Sequence, residues 1–236
     1  MKRLSIKLSA LYIIVLFFSA CKKDYIVGGT PEDINRYKNT SAYDVLKTDP
    51  AYDTLIHLID AAGLKDKING QGTTFFAPSD GSILNYLNLR TIYVQNHYNV
   101  YGKFALDSLV YYLQNNIAGT RDSLLLYLIP KALPYSDLTD DGTLYQTASS
   151  STVAVSFEYT KNGSLGYNSV VSSVPQVEYF TPLWKPYTIT PSTPAGSIPE
   201  SVGTRNLCKT SGIITKNGIM NYLDNSHALF FYDVKK

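Results

Sequence analysis

Apolar and polar positions follow two different rhythms along this chain. In the first half they repeat at helical intervals. Leu55, Ile56, Leu58, Ile59 and Ala62 share one face and the run stops at Gly63, which predicts an amphipathic helix with one buried side. Asp49 ahead of Pro50 supplies an N-cap and a proline at the first helical position. Asn69-Gly70-Gln71-Gly72 reads as a turn into a short apolar strand over residues 73–76. Pro78-Ser79-Asp80 then starts a second helix, with Ser79 as its N-cap and Ile83, Leu84 and Leu87 facing inward. Residues 90–128 stay helical in pattern, interrupted at Gly102 and Gly119, and Pro130 and Pro134 close the region.

The second half alternates. Val153, Val155, Phe157 and Tyr159 interleave with Ala154, Ser156 and Glu158, which is strand periodicity. Asn162-Gly163 offers the residues of a tight hairpin turn, whose two central positions need positive φ. Residues 175–199 hold six of the eleven prolines, a density that predicts a long surface loop, since proline cannot donate to a strand ladder. A second hairpin signal, Asn217-Gly218, lies between two strand candidates, followed by residues 228–232. No internal repeat is evident. Helices first and strands later point to an α+β domain.

The N-terminus reads as an export signal over residues 1–20: basic Lys2 and Arg3, an apolar run culminating at residues 11–18, then small Ser19 and Ala20. Phe18-Ser19-Ala20-Cys21 resembles a lipobox, in which the Cys21 sulfur takes a diacylglyceryl group, as in a palmitate-bearing lipoprotein, and acyl chains then hold the protein on a membrane. Residues 21–40, with Gly28-Gly29 and Pro31, are expected to form a flexible tether. The expected location is the outer membrane, lipid-anchored, on its periplasmic or cell-surface face. With Cys21 acylated, Cys208 has no intramolecular partner and is expected to pack as a small hydrophobe.

The formal charge of +2 includes Lys2, Arg3 and Lys7 of the signal, so the exported remainder is nearly neutral and lacks the basic field that nucleic-acid binding requires. His57, His97 and His227 stand in no metal-ligand spacing, and no metal or other cofactor is expected. Gly70-Gln71-Gly72 lacks a phosphate loop's third glycine and precedes a strand, and neither a Gly-x-Ser-x-Gly elbow nor a His-Glu-x-x-His pair occurs. Nothing selects a catalytic group, and no enzyme is expected. Twenty tyrosines are the compositional oddity. Tyr93, Tyr98 and Tyr101 have the chemistry to stack on sugar rings, although packing is their plainer role. Trp184, with Tyr179, Phe180 and Tyr187 in the proline-rich segment, is the stronger candidate for contact with a partner, either as a loop anchor or as a hot spot.

Three segments in order resemble the signature blocks of the fasciclin family. They are Thr74-Phe75-Phe76-Ala77-Pro78-Ser79-Asp80, Leu124-Leu125-Leu126-Tyr127-Leu128-Ile129-Pro130, and Lys216-Asn217-Gly218-Ile219-Met220-Asn221-Tyr222-Leu223-Asp224. Leu128 and Asn221 depart from the family's pattern by standing where it has histidines; Tyr127 and Asn221 are the positions that the resemblance marks as candidates for partner binding. The resemblance implies an α+β wedge of two packed β-sheets with short helices gathered on one side, over residues 41–236, with an insertion at about 150–205. It also implies a non-catalytic adhesion or binding module whose partner is an extracytoplasmic protein or glycan. The alternative is an accessory glycan-binding surface lipoprotein of a polysaccharide uptake system.

Overall fold

The computed structural model describes residues 35–170 and 174–234. The export signal, Cys21 and most of the expected tether lie outside the described residues. From Asn35 the chain already turns, Tyr37 packs against the core, and the Thr40 carbonyl accepts from Lys216 N.

The first half is helical, as its periodicity predicts. Its helices are α1 (Ala42–Leu46), α2 (Asp53–Ala62), α3 (Lys65–Ile68), α4 (Asp80–His97), α5 (Leu106–Gln114) and α6 (Thr120–Leu124). Asp49 caps a 3-10 turn over Pro50–Tyr52, and α2 follows it. Gly63 ends α2 at φ 65, a conformation that costs glycine little. The free N–H groups at the start of α2 are met from afar: Asp80 accepts from Thr54 N at 2.9 Å and from Leu55 N at 3.1 Å. Asp80 therefore locks the start of α4 to the start of α2. Ser79 occupies the N-cap position of α4 but its hydroxyl makes no cap bond, so the expected cap is positional only. Leu84, expected inward, is 57% exposed, whereas Ile83 is buried.

Seven strands form the sheet: β1 (Thr73–Ala77), β2 (Leu128–Ile129), β3 (Thr143–Gln146), β4 (Thr152–Tyr159), β5 (Gln176–Pro182), β6 (Asn206–Ile214) and β7 (Gly218–Leu223). Their order is β2-β1-β7-β6-β5-β4-β3, with β1 and β7 parallel and the other pairs antiparallel. Strand β6 joins two halves. It pairs with β5 only at Tyr179↔Leu207 and Phe180↔Asn206, and with β7 from Cys208↔Leu223 to Ile214↔Ile219, across register shifts on either side of Thr210. Bulges bend a strand and add twist, so the two halves fold toward each other as a wedge.

The bend is measurable. Strands β1 and β5 are three steps apart, on the order of 14 Å in a flat sheet at ~4.8 Å per step. The rings of Phe76 on β1 and Phe180 on β5 nevertheless meet at 4.5 Å between centroids. Ala148, just past β3, donates to the Leu128 carbonyl on β2 at 2.7 Å, which nearly closes the sheet into a barrel. Strand β1 is buried on both faces. Phe76 points into the wedge, while Phe75 shares a void of only ≈ 10 Å³ with Leu55, Ile59, Leu64 and Ile68 of the helical layer.

Two expectations for the second half are corrected. Residues 175–199 are not all loop, because residues 176–182 form β5, a central strand with Phe180 fully buried. Pro175 precedes β5 and Pro182 ends it, positions where a missing N–H costs the ladder little. Asn162-Gly163 is no tight hairpin turn: Asn162 has φ −81 and its side chain caps a 3-10 turn over Gly163–Leu165. Asn217-Gly218 does lie at the β6–β7 connection, but Asn217 serves through its amide. Its Oδ1 accepts from Ala42 N at 2.9 Å, and its Nδ2 donates to the Ile68 carbonyl at 3.2 Å. Residues 228–232 hold a 3-10 turn, Leu229–Phe231.

Candidate functional site

The six residues singled out for partner contact separate into a buried group of three, a pair at the surface and Tyr179 by itself. Tyr127, Phe180 and Asn221 are each 0% exposed, so no macromolecular partner can reach them. They build the interior instead. The Tyr127 and Phe180 rings lie 6.2 Å apart, and Phe231 packs against both. The Tyr127 hydroxyl accepts from Phe230 N at 2.9 Å, and burial drives its pKa upward. His227 reaches the same hydroxyl at 3.5 Å from 100 residues away. It stacks on Phe231 at 4.6 Å and contacts the Asp224 carbonyl at 3.1 Å. Burial lowers its pKa to about 4, so it is neutral at physiological pH. A tyrosine–histidine contact thus exists here, built with a histidine that sequence reading had left isolated.

Asn221 belongs to a buried polar chain. It accepts from Gly212 N at 2.7 Å and donates to Glu178 Oε1 at 2.7 Å. The chain ties the β6 bulge to β5 and β7, the strands on either side. Burial pushes the Glu178 carboxyl up to about 8, against the opposing hydrogen bonds from Asn221 and Ser211. The signal for Glu178 was present in the sequence, since period-two alternation puts it on the same face as Phe180. Reading the segment as loop hid it.

Trp184 and Tyr187, both half-buried, form the group at the surface. Beyond β5 the chain runs over the outer face of the β3–β4 pair, held by Leu183 N to the Thr152 carbonyl at 3.0 Å and by Ala195 N to the Asp141 carbonyl at 2.7 Å. Gly142 makes that approach possible, because a Cβ there would meet the Ala195 Cβ at 2.7 Å. Ala154 on that outer face is consequently as buried as Val153 on the inner one. Where the covering chain crosses the sheet edge, Trp184, Lys185, Tyr187, Tyr145 and Gln146 line an open cleft of ≈ 490 Å³. Its lining includes one cation and no carboxylate. A second cleft of ≈ 410 Å³ shares Trp184 and Lys185, so the indole stands on the ridge between the two. Tyr179 is apart from both, its ring covered by the Arg205 guanidinium at 3.5 Å, while Arg205 also pairs with Glu158.

Tyr98 and Tyr101 are 77% and 90% exposed, which overturns packing as their role. The Tyr93 and Tyr98 rings are inclined at 60° to each other, so they present no flat stacking surface. Cys208 is buried as expected and burial raises its thiol pKa well above the ordinary value, which leaves it unreactive. Among the described residues, no three His, Cys, Asp or Glu side chains are grouped as metal ligands, and no helix is long and apolar enough to cross a membrane.

The family model of the Fasciclin domain matches residues 50–179, more than half of the chain. No curated protein matches it. The match runs from the turn before α2 into β5, and so takes in the Ala77-Pro78-Ser79 corner and Tyr127. Fasciclin domains are generally extracellular adhesion or binding modules and are typically non-catalytic. With its helical layer, its bent seven-stranded α+β sheet and this match, the chain belongs to the fasciclin family.

Proposed function

We propose that this protein is an adhesion module held on the outer membrane by a lipid on Cys21, and that it meets its extracytoplasmic partner at the Trp184–Tyr187 cleft. The observation that carries the reading is the cleft itself. Two of the six expected contact residues, Trp184 and Tyr187, line it, on a segment fixed to the sheet by backbone hydrogen bonds. Three aromatic rings, Tyr145, Trp184 and Tyr187, with a lysine and a glutamine give an apolar floor with hydrogen-bonding edges, which is the make-up of a contact hot spot. The lipid half of the proposal rests on the Phe18-Ser19-Ala20-Cys21 pattern. Radiolabelled palmitate should enter the wild-type chain and not Cys21→Ala; equal labelling of both would refute the anchor.

A glycan partner is the second reading, favoured by the aromatic lining, since tyrosine and tryptophan faces stack on sugar rings while their polar atoms bond sugar hydroxyls. The chain has a single tryptophan, so its fluorescence reports this cleft and the adjoining one that shares Trp184. A polysaccharide that binds here should shift the Trp184 emission on titration. Binding detected on a glycan array without any change in that emission would remove the cleft from recognition.

A further inference from the structure

Away from the Trp184 cleft, a cavity of ≈ 690 Å³ opens between α4, α6 and the C-terminal turn. Arg90 lies in its wall with Tyr86, Tyr112, Tyr232, Thr120 and Ser123, and the lining includes no carboxylate. Among the described residues Arg90 makes no salt bridge, and its buried Nε has no hydrogen-bond partner. Its guanidinium is surrounded by rings, 4.9 Å from the Phe104 centroid, 5.5 Å from that of Tyr232 and 5.6 Å from that of Tyr93. Aromatic faces, with a hydrogen bond from Arg90 to the Tyr232 hydroxyl, hold the cation and fix its direction without neutralising it.

Backbone strain gathers at the same place. Five non-glycine residues have positive φ among the described residues, and four of them are Asn116, Ala118, Phe230 and Phe231. Ala118 (φ 52) and Phe230 (φ 64) themselves line the cavity. Left-handed backbone is unfavourable for alanine and phenylalanine and persists where the surrounding structure imposes it, often beside ligands. Phe230 is held there by its N–H bond to the buried Tyr127 hydroxyl. The aromatic core therefore shapes one wall of the cavity.

We propose that this cavity is a binding site for an acidic saccharide unit, with Arg90 receiving the carboxylate. A guanidinium fork matches a carboxylate with two parallel hydrogen bonds, and an arginine lacking an internal counter-ion can offer them. The volume suits one or two sugar rings. The Thr120 and Ser123 hydroxyls already donate to the Ile117 and Gly119 carbonyls, which leaves their oxygens as acceptors for sugar hydroxyls. The tyrosine rings offer stacking surface. This site is separate from the Trp184 cleft and stands whether or not that cleft binds a partner.

The test uses the full chain, isotopically labelled, titrated separately with D-glucuronate, D-glucose and inorganic sulfate while amide chemical shifts are followed. Glucuronate should move the signals of Thr120, Ser123 and Tyr232 and leave Trp184 fluorescence unchanged, whereas glucose should move them far less. Arg90→Met should weaken glucuronate by about tenfold or more, because both charge-assisted bonds are lost. That substitution also removes the ring contacts, so the shift map of the unsubstituted chain decides the matter if the variant fails to fold. Glucose binding as tightly as glucuronate, sulfate binding as tightly as glucuronate, or an absence of shifts at this cavity would each overturn the assignment.

Discussion

Two aromatic clusters, both reached through β5 and its continuation, have opposite relations to water. Phe180, Tyr127 and Phe231 fill the inside of the wedge, while Trp184, Tyr187 and Tyr145 stand around an open cleft. Only four positions separate Phe180 from Trp184 in the chain. What divides them is the end of the strand: up to Pro182 the ladder places alternate side chains inside, and after it the chain crosses to the outer face. Residue type therefore says little about role here. The strand that carries an aromatic, and the face it turns to, decides whether the ring supports the fold or meets a partner.

Substitutions that follow this division should separate stability from recognition. The largest effect is expected for Phe180→Ala, which empties the meeting point of both half-sheets and should cost about 3–5 kcal/mol in urea unfolding. A smaller loss would show that the wedge closes without that contact. Tyr127→Phe removes the acceptor for Phe230 N in a dry interior and should cost about 1–3 kcal/mol. The same variant should raise amide exchange at Phe230, and unchanged exchange there would contradict the anchoring role.

The pH dependence sharpens the comparison further, because two buried titratable groups, Glu178 and His227, belong to the scaffold. Glu178 has an ordinary value of 4.5 and a folded value of about 8. Between these the folded protein retains a proton that the unfolded chain has released, so stability falls as pH rises through that window. His227 shifts the other way, from 6.5 to about 4, so its contribution is lost as pH falls below 6.5. Above 6.5 His227 is neutral in both states, and the decline toward pH 8 belongs to Glu178. Thermal melts of the wild type should show that decline, and Glu178→Gln should flatten it. A decline that persists in Glu178→Gln would place its origin elsewhere. Trp184→Ala should change stability least, by about 1 kcal/mol or less, since the indole is half-buried and the Trp184 N–H bond to the Val202 carbonyl is a backbone contact.

Much of the scaffold was legible in the sequence because it rests on local rules. The apolar repeat of α2 and its stop at Gly63, the strand ahead of Pro78, and the alternation in β4 each follow from a few neighbouring residues. What the sequence concealed depends on distant partners. Asp80 was read as part of its own helix start, yet it caps α2. The prolines at 175 and 182 masked β5 because their effect depends on standing at the ends of a strand whose neighbours are supplied by β4 and β6. Of the candidate contact residues, Trp184 and Tyr187 came together on the surface, whereas Tyr127, Phe180 and Asn221 went inside. Arg90 carried no motif at all, since its environment is assembled from rings on α4, the loop after it and the C-terminal turn.

The division between a buried aromatic support and a surface aromatic contact is tested most directly by comparing wild type and Trp184→Ala on one glycan array, with circular dichroism confirming that both are folded. Wild-type binding that falls by about tenfold or more in the variant is the expected result, the loss typical of a hot-spot aromatic. Undiminished binding by a folded Trp184→Ala would contradict it.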